Sequence, residues 1–190
     1  DCTSSSWLEL THFKSGKAAA MKLEMLVEEL QMGYRSRVLV IRGDSDKAWR
    51  SDAVWEIRKK YNIGIEVGSP DTPEENARVE RRIALVVRLM IKLMIAGGFV
   101  GEWRRYWGRA AKHANYIYQH KPTKANVEKA TSAEVLAAVT GTKCKRILLI
   151  PFGALCYLAK DHRKKGDMEA YAHQAMFVGD ASDMSSDAGV

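Results

Sequence analysis

Cysteine is scarce in this chain of 190 residues: Cys2, Cys144 and Cys156 form an odd, scattered set. That argues against a disulfide framework and for a reducing compartment. No C-x-x-C pair occurs and the five histidines have no partner at ligand spacing, which argues against a structural zinc site. The polar opening "DCTSSS" carries no sign of a signal peptide. Long hydrophobic runs are missing too. The longest, "IALVVRLMIKLMIAGGFV", is interrupted by Arg88 and Lys92 and reads as a buried helix rather than a membrane span. No internal repeat is apparent. The first residue is Asp1 rather than Met, so a fragment or a processed product is expected.

What is present is apolar and basic. A 46% hydrophobic content supports one ordinary domain with a real core, with room for an appended piece. The net charge of +7 and pI near 9.3 fit a polyanionic partner without identifying one.

Periodicity orders the chain. "SSWLELTHF" alternates around Trp7, Leu8, Leu10 and Phe13 as a strand does. "KSGKAAAMKLEMLVEELQM" spaces Met21, Leu23, Met25, Val27 and Leu30 as a helix. "SRVLVIRG" is apolar on both faces and predicts an interior strand, with Asp44 just past its end. "KAWRSDAVWEIRKKYN" places Val54, Ile57 and Tyr61 on one helix face, and "IGIEVGS" predicts another strand. After the Ser69–Pro73 loop a helix is expected, with Pro73 in its first turn and Ile83, Val86, Val87, Met90, Ile91 and Met94 as its apolar stripe. Gly97, Gly98 and Gly101 break it. "EWRRYWGRAAKHANYIYQH" reads as the next helix, ended by Pro122, and "SAEVLAAVTG" as a short one stopped by Gly141. "KRILLIPFGALCYLA" predicts a strand pair turning near Pro151–Gly153.

This order is α/β. The expected division is a compact core over 1–120, an extension over 121–179 and a disordered tail over 180–190.

Two carboxylates stand out. Asp44 follows a central strand, on the edge where open α/β sheets bind ligands. Glu80 lies in the first turns of a later helix, among Arg78, Arg81 and Arg82. Metal-assisted phosphoryl transfer needs carboxylates from different elements converging on a hard cation. With 23 acids in 190 residues, however, the spacing alone does not separate a site from a turn residue and a helix-surface charge.

The flanking text separates them. "VLVIRGD", a helix, a "GI" step and then "SPDTPEENARVERR" resemble the integrase catalytic core of copia-type retrotransposons. That core carries R-S-D-N-G-x-E-F, then G-I, then S-x-P-x-T-P-Q-Q-N-G-x-x-E-R. Arg42, Asp44, Gly64, Ile65 (or Ile63), Ser69, Thr72, Pro73, Asn76, Glu80 and Arg81 match in order. "RYWGRAAKHANYIYQHKPTKA", "FGALCY", "AMFVGDAS" and the opening "DCTSSSWLELTHFKSGKAA" resemble further segments of the family, so most of the chain is covered.

The resemblance implies a ribonuclease H-like fold: a central mixed sheet flanked by helices, plus a small C-terminal β-containing appendage. It implies a piece of a retrotransposon polyprotein that serves DNA integration by metal-dependent strand transfer. Asp44 and Glu80 would be two acids of the catalytic triad and would hold Mg²⁺ or Mn²⁺. Arg78, Arg81, Arg82 and Asn76 would contact DNA, both the element ends and the host target. Homo-oligomers, no membrane, and a place in nucleus and cytoplasm follow from the same comparison.

Departures from the family pattern bear on activity. The triad's first acid belongs upstream of Asp1, so an inactive fragment is expected. Ser45–Asp46 replaces N-G, and Ala48 replaces an acid. Glu74–Glu75–Asn76–Ala77 replaces Q-Q-N-G, adding negative charge where DNA would lie and removing a flexible glycine. Arg109, Gln119 and His120 replace the family's Glu, Asn and Arg. The alternatives are a non-catalytic nucleic-acid-binding relic or a structural dimerisation domain. The helical spacing of Trp103, Tyr106 and Trp107 predicts core packing, with base stacking beside Arg104, Arg105 and Arg109 as the competing reading. The eight methionines are expected to fill the core, and Cys156 to be buried and inert.

Overall fold

In the computed structural model the described residues are 10, 15–43, 47–68, 73–124, 126–144, 149–159 and 172–179. They divide into two compact units, Asp1–Ala84 with Pro122–Lys145, and Leu85–Lys121 with Arg146–Val190. The first contains α1 (Gly16–Gly33), β1 (Val40–Gly43), a 3₁₀ turn (Lys47–Arg50), α2 (Asp52–Tyr61), β2 (Gly64–Val67) and α5 (Ser132–Thr140). The second contains α4 (Trp103–Gln119), β3 (Leu155–Ala159) and β4 (Ala172–Met176). Helix α3 (Pro73–Ala96) runs from one unit into the other.

From α1 to α4 the helix–strand order is the one the periodicity predicts; the strand expected around Leu10 falls largely outside the described residues. The ribonuclease H-like sheet is a different matter. The described strands form two separate two-stranded sheets, parallel β1–β2 and antiparallel β3–β4, and no central mixed sheet. The reason is visible in strand length and cover. β1 and β2 have only four residues each, and Leu39 and Val40 remain exposed although their apolar pattern predicted an interior strand. Most of the run before Pro151, expected to pair with β3, lies outside the described residues. Leu149 and Ile150 are not in a strand, and β3 takes β4 as its partner, Cys156 opposite Ala175.

Helices therefore carry the first unit's core. Ser15 caps α1, its side-chain oxygen accepting the Ala18 N–H at 3.1 Å. Ala20 from α1 and Val54 and Ile57 from α2 are buried together, with Leu23, Trp49, Tyr61 and Ile65 packed around them. Met21, Met25 and Met32 stay exposed, against the expectation that methionine fills the core. A polar latch reinforces the α1–α2 contact. Tyr61 donates its hydroxyl to Glu28 at 2.6 Å, and Lys60 donates to Glu24 at 2.7 Å. The Lys60 hydrogen bond holds the Glu24 carboxyl below its ordinary range. α2 ends where Asn62 adopts the left-handed conformation, φ 51°, and its N–H and that of Ile63 close on the carbonyls of Lys59 and Arg58.

α2 and the turn before it make the crossover that parallel β1 and β2 require. Arg42 and Glu66 stand opposite in register and form an exposed ion pair at 2.7 Å, worth at most about 1 kcal/mol. At the end of β1 the Trp49 indole lies directly on Gly43. A Cβ there would fall 2.5 Å from Nε1, so only glycine fits. α5 opens with a full capping box: Thr131 accepts the Glu134 N–H and Glu134 accepts the Thr131 N–H. Gly141 closes it in the left-handed region, φ 68°.

The second unit is built on close backbone approach. A Cβ at Gly153, itself at φ +83°, would lie 2.6 Å from Gly97 Cα. That approach lets Phe99, Phe152, Met94 and Ala110 bury as one cluster, with Phe99 and Phe152 edge to face at 5.3 Å. Cys156 is partly buried in β3.

Gly43→Ala is expected to destabilise the protein by about 1–3 kcal/mol in urea denaturation, because the indole must tilt off the strand. Gly33→Ala, whose added methyl meets nothing within 4 Å, is the control and should be neutral or slightly stabilising. Equal losses in the two variants would show that the Trp49 contact is not what confines position 43 to glycine.

Candidate nucleic-acid interface

Asp44 follows Gly43, the last residue of β1, and lies outside the described residues. Its distance to Glu80 is therefore not part of the described structure. Glu80 and Arg81 are exposed on α3, and Arg82 is partly buried with interactions of its own. Asn76 and Arg78 fall within the first turns of α3, with their side chains outside the described set. Among the described residues no group of three or more His, Cys, Asp or Glu side chains is placed to hold a metal ion.

The aromatic and basic helix α4 departs from its reading. Of the three large aromatics at helical spacing, only Tyr106 reaches the core, its ring 4.7 Å from Phe99. Trp103 is 56% exposed and Trp107 40%. The buried face of α4 is made by small residues instead: Ala110, Ala111 and Ala114, with Asn115 and His113. Alanines let the helix sit close to its neighbours over its later turns; Trp103 and Trp107, which the 3.6-residue repeat puts on that same side, are left exposed in the first turns. Sequence reasoning ranked residues by size. The alanine repeat was the signal that pointed the other way.

Cations accompany these indoles. The Arg104 guanidinium lies 5.9 Å from the Trp103 ring centroid, and Arg105 lies 5.5 Å from that of Tyr106. Arg104 and Arg105 are exposed, and the contact of Arg105 to Glu102 is long, 3.9 Å, between side chains open to water. Arg109 is exposed on the same helix. Indole faces beside guanidinium groups can stack bases and neutralise phosphates together.

No protein-family model matches the chain, and no curated protein shows significant similarity to it. Among the described residues no helix is long and apolar enough to cross a membrane.

Inside α4 sits one titratable group that the outward face does not use. The His113 ring is buried, hydrogen-bonded to the Ile150 backbone and flanked by Phe152 and Phe177 at 5.9 and 5.6 Å. Burial lowers its pKa from the ordinary 6.5, and the Ile150 hydrogen bond only partly offsets this. The unfolded chain then takes up a proton that the folded one refuses. Stability is full above the unfolded value of 6.5 and falls as pH drops from there through the folded value. The melting temperature should thus fall between about pH 7.5 and about pH 5.5, and His113→Gln should flatten that fall. An identical pH dependence in the variant would remove His113 as its source.

Proposed function

We propose that this chain is a DNA-binding segment of a copia-type retrotransposon integrase polyprotein, acting through exposed cation–aromatic surface rather than through chemistry of its own. The observation that carries the reading is α4: it buries alanines and presents Trp103, Trp107, Arg104 and Arg105 to solvent. Soluble chains seldom leave two tryptophans on one helix side without a use for them. The net charge of +7 supports the same partner, as do the spaced motifs running from Arg42 to Arg81. In this reading element ends and host DNA are the ligands, and nucleus and cytoplasm are where they are met. The binding proposed here is independent of Asp44 and Glu80, which the resemblance assigns to Mg²⁺ or Mn²⁺.

Helix α3 favours a second reading. Ile83, Val87, Ile91 and Ile95 recur every fourth residue and are all exposed, although the first three belong to a stripe that was expected to be buried. Only Val86 and Met94 of that stripe are fully covered, which leaves apolar surface for a helix-mediated homo-oligomer. Sedimentation velocity distinguishes the two. Under the second reading the chain associates at micromolar concentration and Ile91→Glu returns it to monomer.

For the DNA-binding reading, affinity for duplex DNA should fall linearly with salt on logarithmic axes. Arg104→Ala with Arg105→Ala should weaken binding severalfold on every sequence and reduce the slope by about 1–2. A chain that binds no DNA at low salt, or whose affinity ignores salt, would sink the proposal.

A further inference from the structure

The first unit holds a second aromatic–basic feature, and this one is concave. A cavity of about 180 Å³ opens between the 3₁₀ turn, α2 and β2. Trp49 and Trp55 line it, with Arg50 and Arg58 beside them and Ile65 and Val67 contributed by β2. An apolar cavity of roughly 150 Å³ holds one benzene ring, so this space accommodates a single six-membered heterocycle.

The two tryptophans differ in what holds them. Trp49 is anchored, lying on Gly43 and packed against the buried Ala20–Val54–Ile57 cluster. Trp55 is 47% exposed, with the Lys59 ammonium 3.5 Å from its ring centroid. The cavity thus has one rigid indole wall and one at its solvent edge. Arg50 and Arg58 are exposed, and among the described residues neither pairs with a carboxylate. The carboxylates of α2, Asp52 and Glu56, are exposed and do not line the cavity. Flat π surface, an apolar floor and guanidinium groups match a planar base attached to phosphates better than they match a peptide or an apolar ligand.

We infer that this cavity is a base-binding subsite for single-stranded nucleic acid: one unpaired base, a pyrimidine by size, enters against Trp49 and Trp55, and Arg50 and Arg58 take the flanking phosphates. The inference rests on the nucleic-acid-binding reading above and adds to it a preference for strands whose bases are free to leave the stack. In a duplex the bases are already stacked on one another, so none is free to fill this cavity.

The test is fluorescence anisotropy of the full chain with labelled oligothymidylate of about twelve nucleotides and with a duplex of equal length. Trp55→Ala should weaken oligothymidylate binding about tenfold, leave duplex binding within about twofold, and be largely rescued by Trp55→Phe. Arg58→Gln, at an exposed position, should weaken single-strand binding severalfold while far-ultraviolet circular dichroism stays unchanged. If wild type binds both ligands and Trp55→Ala and Arg58→Gln bind oligothymidylate as wild type does, the subsite is wrong and the DNA-binding function stands. If wild type binds neither at low salt, the function itself is wrong and the subsite with it.

Discussion

The contact between α1 and α2 is what the first unit depends on. Val54 and Ile57 are buried there against Ala20, and burying each side chain of that size contributes about 1.5–3 kcal/mol. The Lys60–Glu24 and Arg42–Glu66 pairs are exposed and contribute far less. Apolar packing therefore decides that the two helices meet, and the polar latch selects how they are turned. The parallel β1–β2 pair is positioned by that contact rather than the reverse. Four-residue strands cannot cover a face alone, and Ile65 reaches the same cluster from β2.

Small residues play a matching part in the second unit. Gly97 and Gly153 approach so closely that neither tolerates a side chain, and Ala110, Ala111 and Ala114 form the inner face of α4. Trp103 and Trp107 are left exposed in its first turns. The exposed indoles and the arginines beside them offer stacking faces and cations side by side. His113 is a polar residue accepted inside because the Ile150 backbone hydrogen-bonds its ring.

Local signals were legible where the physics is local. The glycine stop at Gly141 and proline in the first turn of α3 each act within one turn of chain, and each places a helix end correctly. The apolar run over Val38–Ile41 was misleading, because hydrophobicity on both faces is equally compatible with a central strand and with a short strand left half bare. The resemblance to an integrase core carried a sheet with it, and the described strands do not form that sheet. The candidate residues divide in the same way. Glu80 and Arg81 stand exposed on the helix predicted for them, whereas the Trp49–Trp55 cavity joins residues six apart in the chain to a strand ten or more residues further on, a juxtaposition that no window of sequence displays.

Composition and periodicity by themselves determined the order of helices from α1 to α4, that the chain is basic, and which acids and arginines gather near residue 80, since these follow from charge count and from a repeat of 3.6 residues. Only the tertiary structure decided which side of each helix faces inward and how many strands join a sheet. Both depend on what remains to be covered once the other elements have packed, and that is a property of the assembled layers rather than of any one segment.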